Sequence, residues 1–137
     1  MIRRDSKCYD RSVSANIRQY AVEARSTDTF GRVLCSARTN HFVVDGPVQN
    51  GCPGEAMTPP EAFLSGVAAC GIELLQVIGR EVGVSVKSAR LRIEGTVDRD
   101  HPVRPDVTLF NEVQLRFELK GVSQAQGADL VDRFKQR

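Results

Sequence analysis

The longest apolar stretch of the chain runs from about Pro60 to Gly83. Its apolar side chains cover most of a helix circumference, a pattern typical of a helix buried on nearly all sides. At about 1.5 Å per residue, such a helix would be roughly 33 Å long. Thr58 as N-cap, with Glu61 at the third helical position, predicts a capping box at its start. We therefore predict a central helix that one small subunit cannot cover alone.

Three short segments rich in Val, Phe, Tyr and Ala precede this helix, over residues 17–25, 31–38 and 41–45. Their composition predicts short antiparallel strands. Residues 45–60 then contain repeated glycines and prolines, which neither a helix nor a central strand tolerates. This segment is predicted to be a long functional loop.

Apolar and polar residues alternate again after the helix, over residues 89–97 and 107–119. The alternation predicts two long strands with one solvent-facing side each, and hairpin pairing is the simplest arrangement. Prolines in the connection mark the break between them. Ser123 and Gln126 form a second capping box and predict a final helix, with no residue of the helix-ending type before Arg137.

Composition and charge then limit the class of protein. The 137 residues are 41% hydrophobic and 26% charged, which is typical of a globular chain. We predict a polar, loosely ordered lead-in over residues 1–14 and a single domain over 15–137.

The 19 basic and 17 acidic residues are intermixed, so nucleic acid is not an expected partner. The N-terminus lacks a secretory pattern and no stretch is expected to span a bilayer, so we predict a cytoplasmic protein without membrane contact.

The four cysteines, Cys8, Cys35, Cys52 and Cys70, are widely spaced, with no C-x-x-C pair among them. This spacing does not match structural zinc sites, and neither a metal nor another cofactor is predicted. In a cytoplasmic setting, four free thiols are the expectation. Small residues surround Cys70, and each glycine among them costs about 1 kcal/mol of helix propensity, so a close packing partner is predicted there.

Several motifs follow one another along the chain, namely residues 41–47, Gly51, Gly54, residues 58–64 and the run Ala68-Ala69-Cys70. Together they resemble the signature of the osmotically inducible protein C and organic hydroperoxide resistance (OsmC/Ohr-like) family. The resemblance implies an α+β fold with antiparallel sheets wrapped around long central helices in an intertwined homodimer. It also implies active sites at the subunit interface.

The family chemistry implied for Cys70 is that of a peroxidase in oxidative stress defence. A thiolate at this position attacks an organic hydroperoxide and becomes a sulfenic acid, which a Cys-Pro cysteine on the last helix resolves. A dithiol such as a lipoylated protein then acts as reductant. The chain reaches Arg137 about where that Cys-Pro pair is expected, so we expect the resolving group to be trimmed or absent. Cys35 and Cys52 are possible substitutes, although such cysteines are more often inert.

A thiolate at Cys70 requires a nearby cation, because this residue lies about twelve positions past the N-cap, beyond the reach of the helix dipole. The family supplies an Arg from an early strand, and that position falls on Thr29 here. Arg32 is the favoured replacement, ahead of Arg38. In a regular strand Arg32 faces away from position 29, so it would need a bulge in the strand to swing round.

The family also holds that Arg with a Glu at the helix start, where this chain has Pro60. Glu61 follows, but nine residues at about 100° each place it roughly opposite Cys70, so Glu61 is better interpreted as the cap. Glu73, three residues after Cys70, reaches it geometrically. Glu61 and Glu73 remain secondary catalytic candidates, and His41 and His101 are assigned no role.

Two functions follow from these residues. The first is a thiol-dependent peroxidase, with Cys70 as nucleophile and Arg32 stabilising the thiolate. The second is a non-enzymatic dimer of the same fold that holds a small apolar molecule or a protein, because the Arg and Glu positions of the family are not matched. In that case Cys70 is a small buried residue in a tight helix contact.

Overall fold

The structure, a computed structural model, describes residues 17–137. Its elements are, in chain order, β1 (Glu23–Ser26), β2 (Arg32–Ala37), β3 (Asn40–Asp45), a 3₁₀ turn (Val48–Asn50), α1 (Pro59–Glu81), β4 (Ser88–Thr96), β5 (Glu112–Lys120) and α2 (Gln124–Lys135). These form a three-stranded antiparallel sheet, β1-β2-β3, and a two-stranded antiparallel sheet, β4-β5, around one long helix. The predicted α+β class is confirmed. The predicted lead-in over 1–14, with Cys8, lies outside the described residues.

The first sheet begins later than its sequence pattern predicts. The segment 17–25 was expected to be a strand, but β1 spans Glu23–Ser26 and pairs with β2 from Ser36 to Val33. The partner strand ends one residue beyond Ser36, at Ala37, because the chain turns at Arg38, which has a positive φ of 57°. Residues 17–21 therefore have no residue of β2 opposite them to extend the pairing.

The predicted start of α1 is confirmed at Thr58 and Glu61. One oxygen of the Glu61 carboxylate accepts hydrogen bonds from the backbone N–H and from the hydroxyl of Thr58, both at 2.7 Å. These bonds satisfy groups at the end of the helix that lack intrahelical partners. The start of α1 is thus fixed by its own local sequence.

The core lies between α1, α2 and the β4-β5 sheet. Leu75, Ile78 and Leu130 are almost fully buried, and an edge-to-face aromatic pair, Phe117 and Phe134, packs beside them with ring centroids 5.2 Å apart. Gly79 lets the chain pass close to α1, because a Cβ there would lie 2.9 Å from the carbonyl oxygen of Val84. This close contact with Val84 explains why a glycine stands at position 79, although glycine is a poor helix former.

The β4-β5 hairpin is paired over its full length, as predicted. Its second strand, however, begins at Glu112, and Val107 and Leu109 lie in the connection, where both are 43% exposed. Asn111 fixes this connection: its side chain donates to the carbonyl of His101 and accepts from the N–H of Asp98, each at 2.7 Å. The alternating pattern thus continues beyond the residues that pair.

The burial of α1 within one chain differs from the prediction. Only the side that carries Gly71, Leu75, Ile78 and Gly79 is buried, and Phe63 remains 61% exposed. The expectation that no stretch could span a bilayer was wrong on length and composition, since α1, with 23 residues, is long and apolar enough to do so. Core helices of globular proteins meet the same criterion, and α1 packs its buried side on α2 and β4.

The last helix, α2, begins at the predicted capping box. The Ser123 hydroxyl accepts from the N–H of Gln126, and the Gln126 side chain accepts from the N–H of Ser123. The helix ends at Lys135 even though no typical helix-ending residue follows it. Its C-terminal turn lies against α1, where Arg137 forms an ion pair with Glu81.

Candidate functional site

Cys70 lies on the open side of α1. The residue is exposed and its thiol is free, as are those of Cys35 and Cys52 among the residues that the structure describes. Gly66, one turn before Cys70, is also exposed, and a Cβ added there would meet no atom within 4 Å. The sequence predicted burial for this side of the helix, which a single chain does not provide.

Arg32 takes part in a three-residue ion cluster, made of Arg32, Asp45 and Glu55, which we call the Arg32 cluster. Its Nε donates to Oδ1 of Asp45 and its Nη2 to Oδ2, both at 2.8 Å. The same Nη2 donates to Glu55 at 2.7 Å. The Asp45 side chain is fully buried, whereas Arg32 is 28% exposed and Glu55 76%. One arginine is therefore held by two carboxylates, and more tightly by the buried one.

Asp45 also binds the loop that leads to α1. Its Oδ2 accepts the backbone N–H groups of Glu55 and Ala56, each at 3.0 Å. The guanidinium of Arg32, followed by the N–H of Ala56, holds the pKa of Asp45 well below its usual range. The carboxylate is thus ionised, and it ties the loop and the guanidinium to the end of β3.

The bulge that Arg32 would need in order to turn toward position 29 is absent from the pairing of β2 with β3. Arg32 pairs regularly with Asp45 at the base of the β2-β3 hairpin, and the register continues without interruption to the pair of Ala37 and Asn40. Position 29 instead lies in a turn, where its carbonyl accepts the N–H of Arg32 at 3.1 Å. The alternative, Arg38, lies at the opposite end of the same hairpin, about 20 Å away at 3.3 Å per residue.

The two glutamate candidates occupy different surroundings. Glu61 is engaged in the capping box, where the N–H and the hydroxyl of Thr58 lower its pKa. Glu73 is exposed on the open side of α1, one turn after Cys70. The structure thus keeps Glu61 at the helix start and leaves Glu73 on the same side as the thiol.

Cys52 packs tightly within the loop. Its sulfur fills the space in which a Cβ would stand on either Gly31 or Gly46. Cys35 lies in the middle of β2, opposite Phe42. These two cysteines occupy distinct packed positions, unlike the open position of Cys70.

An apolar groove lies beside the start of α1. It encloses about 580 Å³, and Phe63 stacks against Phe110 at its wall with ring centroids 6.0 Å apart. Leu109 and several prolines line it further, and Arg99 contributes a charge. Cys70 follows Phe63 by seven residues, which is almost two helical turns, so the two side chains leave α1 in nearly the same direction about 10 Å apart. The groove therefore opens on the side of α1 that carries the thiol.

Sequence reasoning missed Asp45 and Glu55 as members of the Arg32 cluster. Hairpin symmetry offered a signal for Asp45, since a turn centred on residues 38 and 39 places Arg32 opposite Asp45. Glu55 carried no such signal, because its position depends on the path of an irregular loop. Within residues 17–137, no three His, Cys, Asp or Glu side chains cluster as they would around a metal ion.

Solved structures share this arrangement of elements. An OsmC-like protein from Mycoplasma pneumoniae is 16% identical, with a TM-score of 0.74 over 88% of this chain and 82% of its own. An organic hydroperoxide resistance protein OsmC from Legionella pneumophila is 18% identical, with a TM-score of 0.69 over 88% and 84%. The organic hydroperoxide resistance protein OhrB of Bacillus subtilis is 16% identical, with a TM-score of 0.63 over 87% and 84%. At these identities the likeness establishes the fold.

No curated protein matches the chain. The family model described as OsmC-like protein matches residues 52–137, a span that contains α1, the β4-β5 hairpin and α2. That span is more than half of the sequence and includes Cys70. The chain therefore belongs to the OsmC-like protein family.

Proposed function

We propose that this protein is a thiol-dependent peroxidase that reduces organic hydroperoxides through Cys70. The observation that carries the proposal is the position of this free, exposed thiol, on the same side of α1 as the apolar groove at Phe63. A groove of that character suits the organic part of a hydroperoxide, because apolar surface is removed from water on binding. Relatives of the same fold are named as organic hydroperoxide resistance proteins.

The proposed reaction begins with the Cys70 thiolate. Its sulfur attacks the outer oxygen of ROOH, the O–O bond breaks, and the leaving alkoxide takes up a proton to give the alcohol ROH. Cys70 becomes a sulfenic acid. One thiol of a dithiol reductant, such as a lipoyl group, condenses with the sulfenic acid and releases water. Its second thiol then displaces Cys70, which returns to the thiol as the reductant forms a disulfide.

Arg32 is the proposed source of positive charge for the thiolate. Its Nε and Nη2 are committed to Asp45 and Glu55, whereas its Nη1 has no hydrogen-bond partner within residues 17–137. An arginine fixed along one edge keeps the other edge available for an anion. Glu61 is engaged in helix capping, and Glu73 is the remaining carboxylate near the thiol on α1.

The protein is further proposed to act as a homodimer in the cytoplasm. The open side of α1 carries small residues, Gly66 and Ala69, beside Cys70, and such residues permit close approach of another helix. The first sheet contacts α1 chiefly through β3, so β1 and β2 have little cover within one chain. A second copy would supply that cover. Free thiols at Cys35, Cys52 and Cys70 suit a reducing compartment.

Turnover of cumene hydroperoxide with excess dihydrolipoamide tests the proposal. The wild-type protein should consume the peroxide, and Cys70→Ser should reduce the rate to that of the reductant alone. Cys35→Ser is the matched control, since it removes one thiol from the middle of β2 and should retain turnover. Undiminished consumption by Cys70→Ser would rule out Cys70 as the nucleophile.

A second function, a binding module for a small apolar molecule, is favoured by one observation. Two carboxylates already compensate the charge of Arg32, which weakens its effect on a thiolate. Absence of peroxide consumption, together with alkylation of Cys70 that rises only near the ordinary thiol pKa of about 8.5, would support this function. Peroxide turnover that depends on Cys70 would exclude it as the main role.

A further inference from the structure

The first sheet has one apolar and one polar face. Side chains alternate along a strand, so Val33 and Cys35 lie on one face of β2 and Ser36 lies on the other. Pairing with β3 extends each face, since Phe42 stands opposite Cys35 and His41 stands opposite Ser36. The apolar face suits the cover that a second copy would give in the proposed homodimer. The polar face remains open to solvent in such a dimer.

A cavity of about 260 Å³ lies on this polar face, beside the β2-β3 turn. We call it the Ser36 cavity. Its lining comes from all three strands and from the turn, and comprises Glu23, Arg25, Leu34, Ser36, Arg38 and His41. Two guanidinium groups, a hydroxyl and an imidazole therefore share one concavity with a single carboxylate.

Ser36 and His41 are hydrogen-bonded to each other across the two strands. The distance between Ser36 Oγ and His41 Nδ1 is 2.8 Å. When both ring nitrogens carry a proton, Nδ1 donates to Oγ, and the hydroxyl proton of Ser36 is then directed to another acceptor. Nε2 has no hydrogen-bond partner within residues 17–137. The pair can thus present two donors to a ligand with several acceptor oxygens.

The two arginines of the Ser36 cavity are not committed to carboxylates. Both are exposed, and within residues 17–137 neither Arg25 nor Arg38 forms an ion pair, not even with Glu23 in the same cavity. Arg92 and Arg104, by contrast, each bind a carboxylate two residues away. A guanidinium is a planar fork of donors that matches the oxygens of carboxylates and phosphates. Arg25 and Arg38 therefore have donors available for an external anion.

Arg38 also stands in an unfavourable backbone conformation. Its φ is 57°, and among residues 17–137 no other residue except glycine has a positive φ. A bulky side chain in this region is destabilising, and such strained residues concentrate at ligand sites. Glycine or asparagine would fit this turn at less cost. A binding role for the guanidinium explains why an arginine stands there.

We propose that the Ser36 cavity binds a phosphate monoester. The phosphate carries close to two negative charges and three acceptor oxygens, which suits donors that approach from β1, from β2 and from the turn. Its oxygens accept hydrogen bonds from Arg25, Arg38 and Ser36. The cavity is smaller than the pockets of about 300–1,000 Å³ that enclose drug-sized ligands, so it holds the phosphate and leaves most of the ester outside. This binding site makes no use of Cys70 and goes beyond the proposed peroxidase function.

Isothermal titration calorimetry with phenyl phosphate tests the site, in a buffer without other oxoanions. Arg25→Gln should weaken binding about tenfold, because one charge-assisted contact is lost. Glu23→Gln should tighten binding severalfold, because it removes the negative charge from the cavity. Arg116→Gln is the matched control, since it removes an exposed arginine from β5 in the other sheet and should leave the affinity unchanged.

Arg38→Gly separates a binding role from a structural one. Glycine adopts a positive φ without strain, so the melting temperature without ligand should stay the same or rise. The affinity for phenyl phosphate should nevertheless fall about tenfold. Unchanged affinity in this variant would overturn the role of Arg38.

A phosphate monoester can be a soluble molecule or a lipid headgroup. Cosedimentation with phosphatidylcholine vesicles that contain phosphatidic acid distinguishes the two sources. Binding of phenyl phosphate without cosedimentation identifies a soluble ester, whereas cosedimentation that Arg25→Gln abolishes identifies a lipid. No saturable binding of either probe, or equal affinities in the wild type, Arg25→Gln and Glu23→Gln, would overturn the proposal.

Discussion

Arg32 and Asp45, thirteen residues apart in sequence, close the base of one hairpin with two hydrogen bonds of 2.8 Å between guanidinium and carboxylate. The aspartate is fully buried, so this pair is shielded from the solvent that weakens most surface ion pairs. It joins β2, β3 and the loop that precedes α1. The stability of the protein and the orientation of Arg32 therefore depend on the same carboxylate.

The first prediction concerns acid stability. The pKa of Asp45 is lowered in the fold, chiefly by Arg32, so its stabilising contribution is present above its ordinary value of 3.8 and is lost as the pH falls through and below that value. The urea midpoint of the wild type should therefore fall more steeply between about pH 5 and pH 2 than that of Asp45→Asn. Parallel curves for the two proteins would contradict this role of the carboxylate.

A second prediction concerns the core. Leu75 has no exposed surface and packs against Ile78 and Leu130, so Leu75→Ala should lower the free energy of unfolding by about 2–5 kcal/mol. Leu109, which is 43% exposed, provides the control, and Leu109→Ala should cost less than about 1 kcal/mol. Urea denaturation of both variants measures the difference. Equal losses would mean that the core is centred elsewhere.

The third prediction uses Gly79. Alanine is the better helix former by about 1 kcal/mol, yet Gly79→Ala should destabilise the protein by about 1–3 kcal/mol. Its Cβ would stand 2.9 Å from the carbonyl oxygen of Val84, which is backbone and whose residue also donates its N–H to Gly79. Thermal unfolding followed by circular dichroism measures the effect. An increase in the melting temperature would show that the segment after α1 moves freely.

The fourth prediction concerns the proposed homodimer. Gly66→Leu introduces a large side chain on the open side of α1, where one chain has ample space. If a second copy packs there, the variant should shift the protein toward monomer in light scattering. Ala125→Leu, on the exposed face of α2, is the control and should leave the mass unchanged. A wild-type protein that is monomeric at all concentrations would contradict the dimer.

The features that local sequence determines were predictable. The start of α1 follows from Thr58 and Glu61, which form their bonds within one turn, and the β4-β5 hairpin follows from long alternation. The start of β5 was misplaced because Val107 and Leu109 continue the alternation outside the paired residues. Apolar–polar alternation indicates which face of a strand a side chain could lie on. Whether a residue is paired depends instead on where the partner strand lies.

The candidate site was predicted only in part. Cys70 could be selected from its sequence motif, but its exposure depends on which side of an apolar helix one chain covers. The pairing of Arg32 with Asp45 depends on the location of the hairpin turn, and that turn uses Arg38 at positive φ, where a glycine or asparagine would have been a clearer signal. The Arg32 cluster thus arises from tertiary structure and not from spacing.

Trapping of the oxidised cysteine tests the central claim most directly. One equivalent of cumene hydroperoxide is added to the reduced protein in the presence of dimedone, which reacts with sulfenic acids, and each cysteine peptide is then examined by mass spectrometry. The account predicts a dimedone adduct on Cys70 and formation of one equivalent of the alcohol. Unreacted peroxide without an adduct, or an adduct confined to other cysteines, would contradict it.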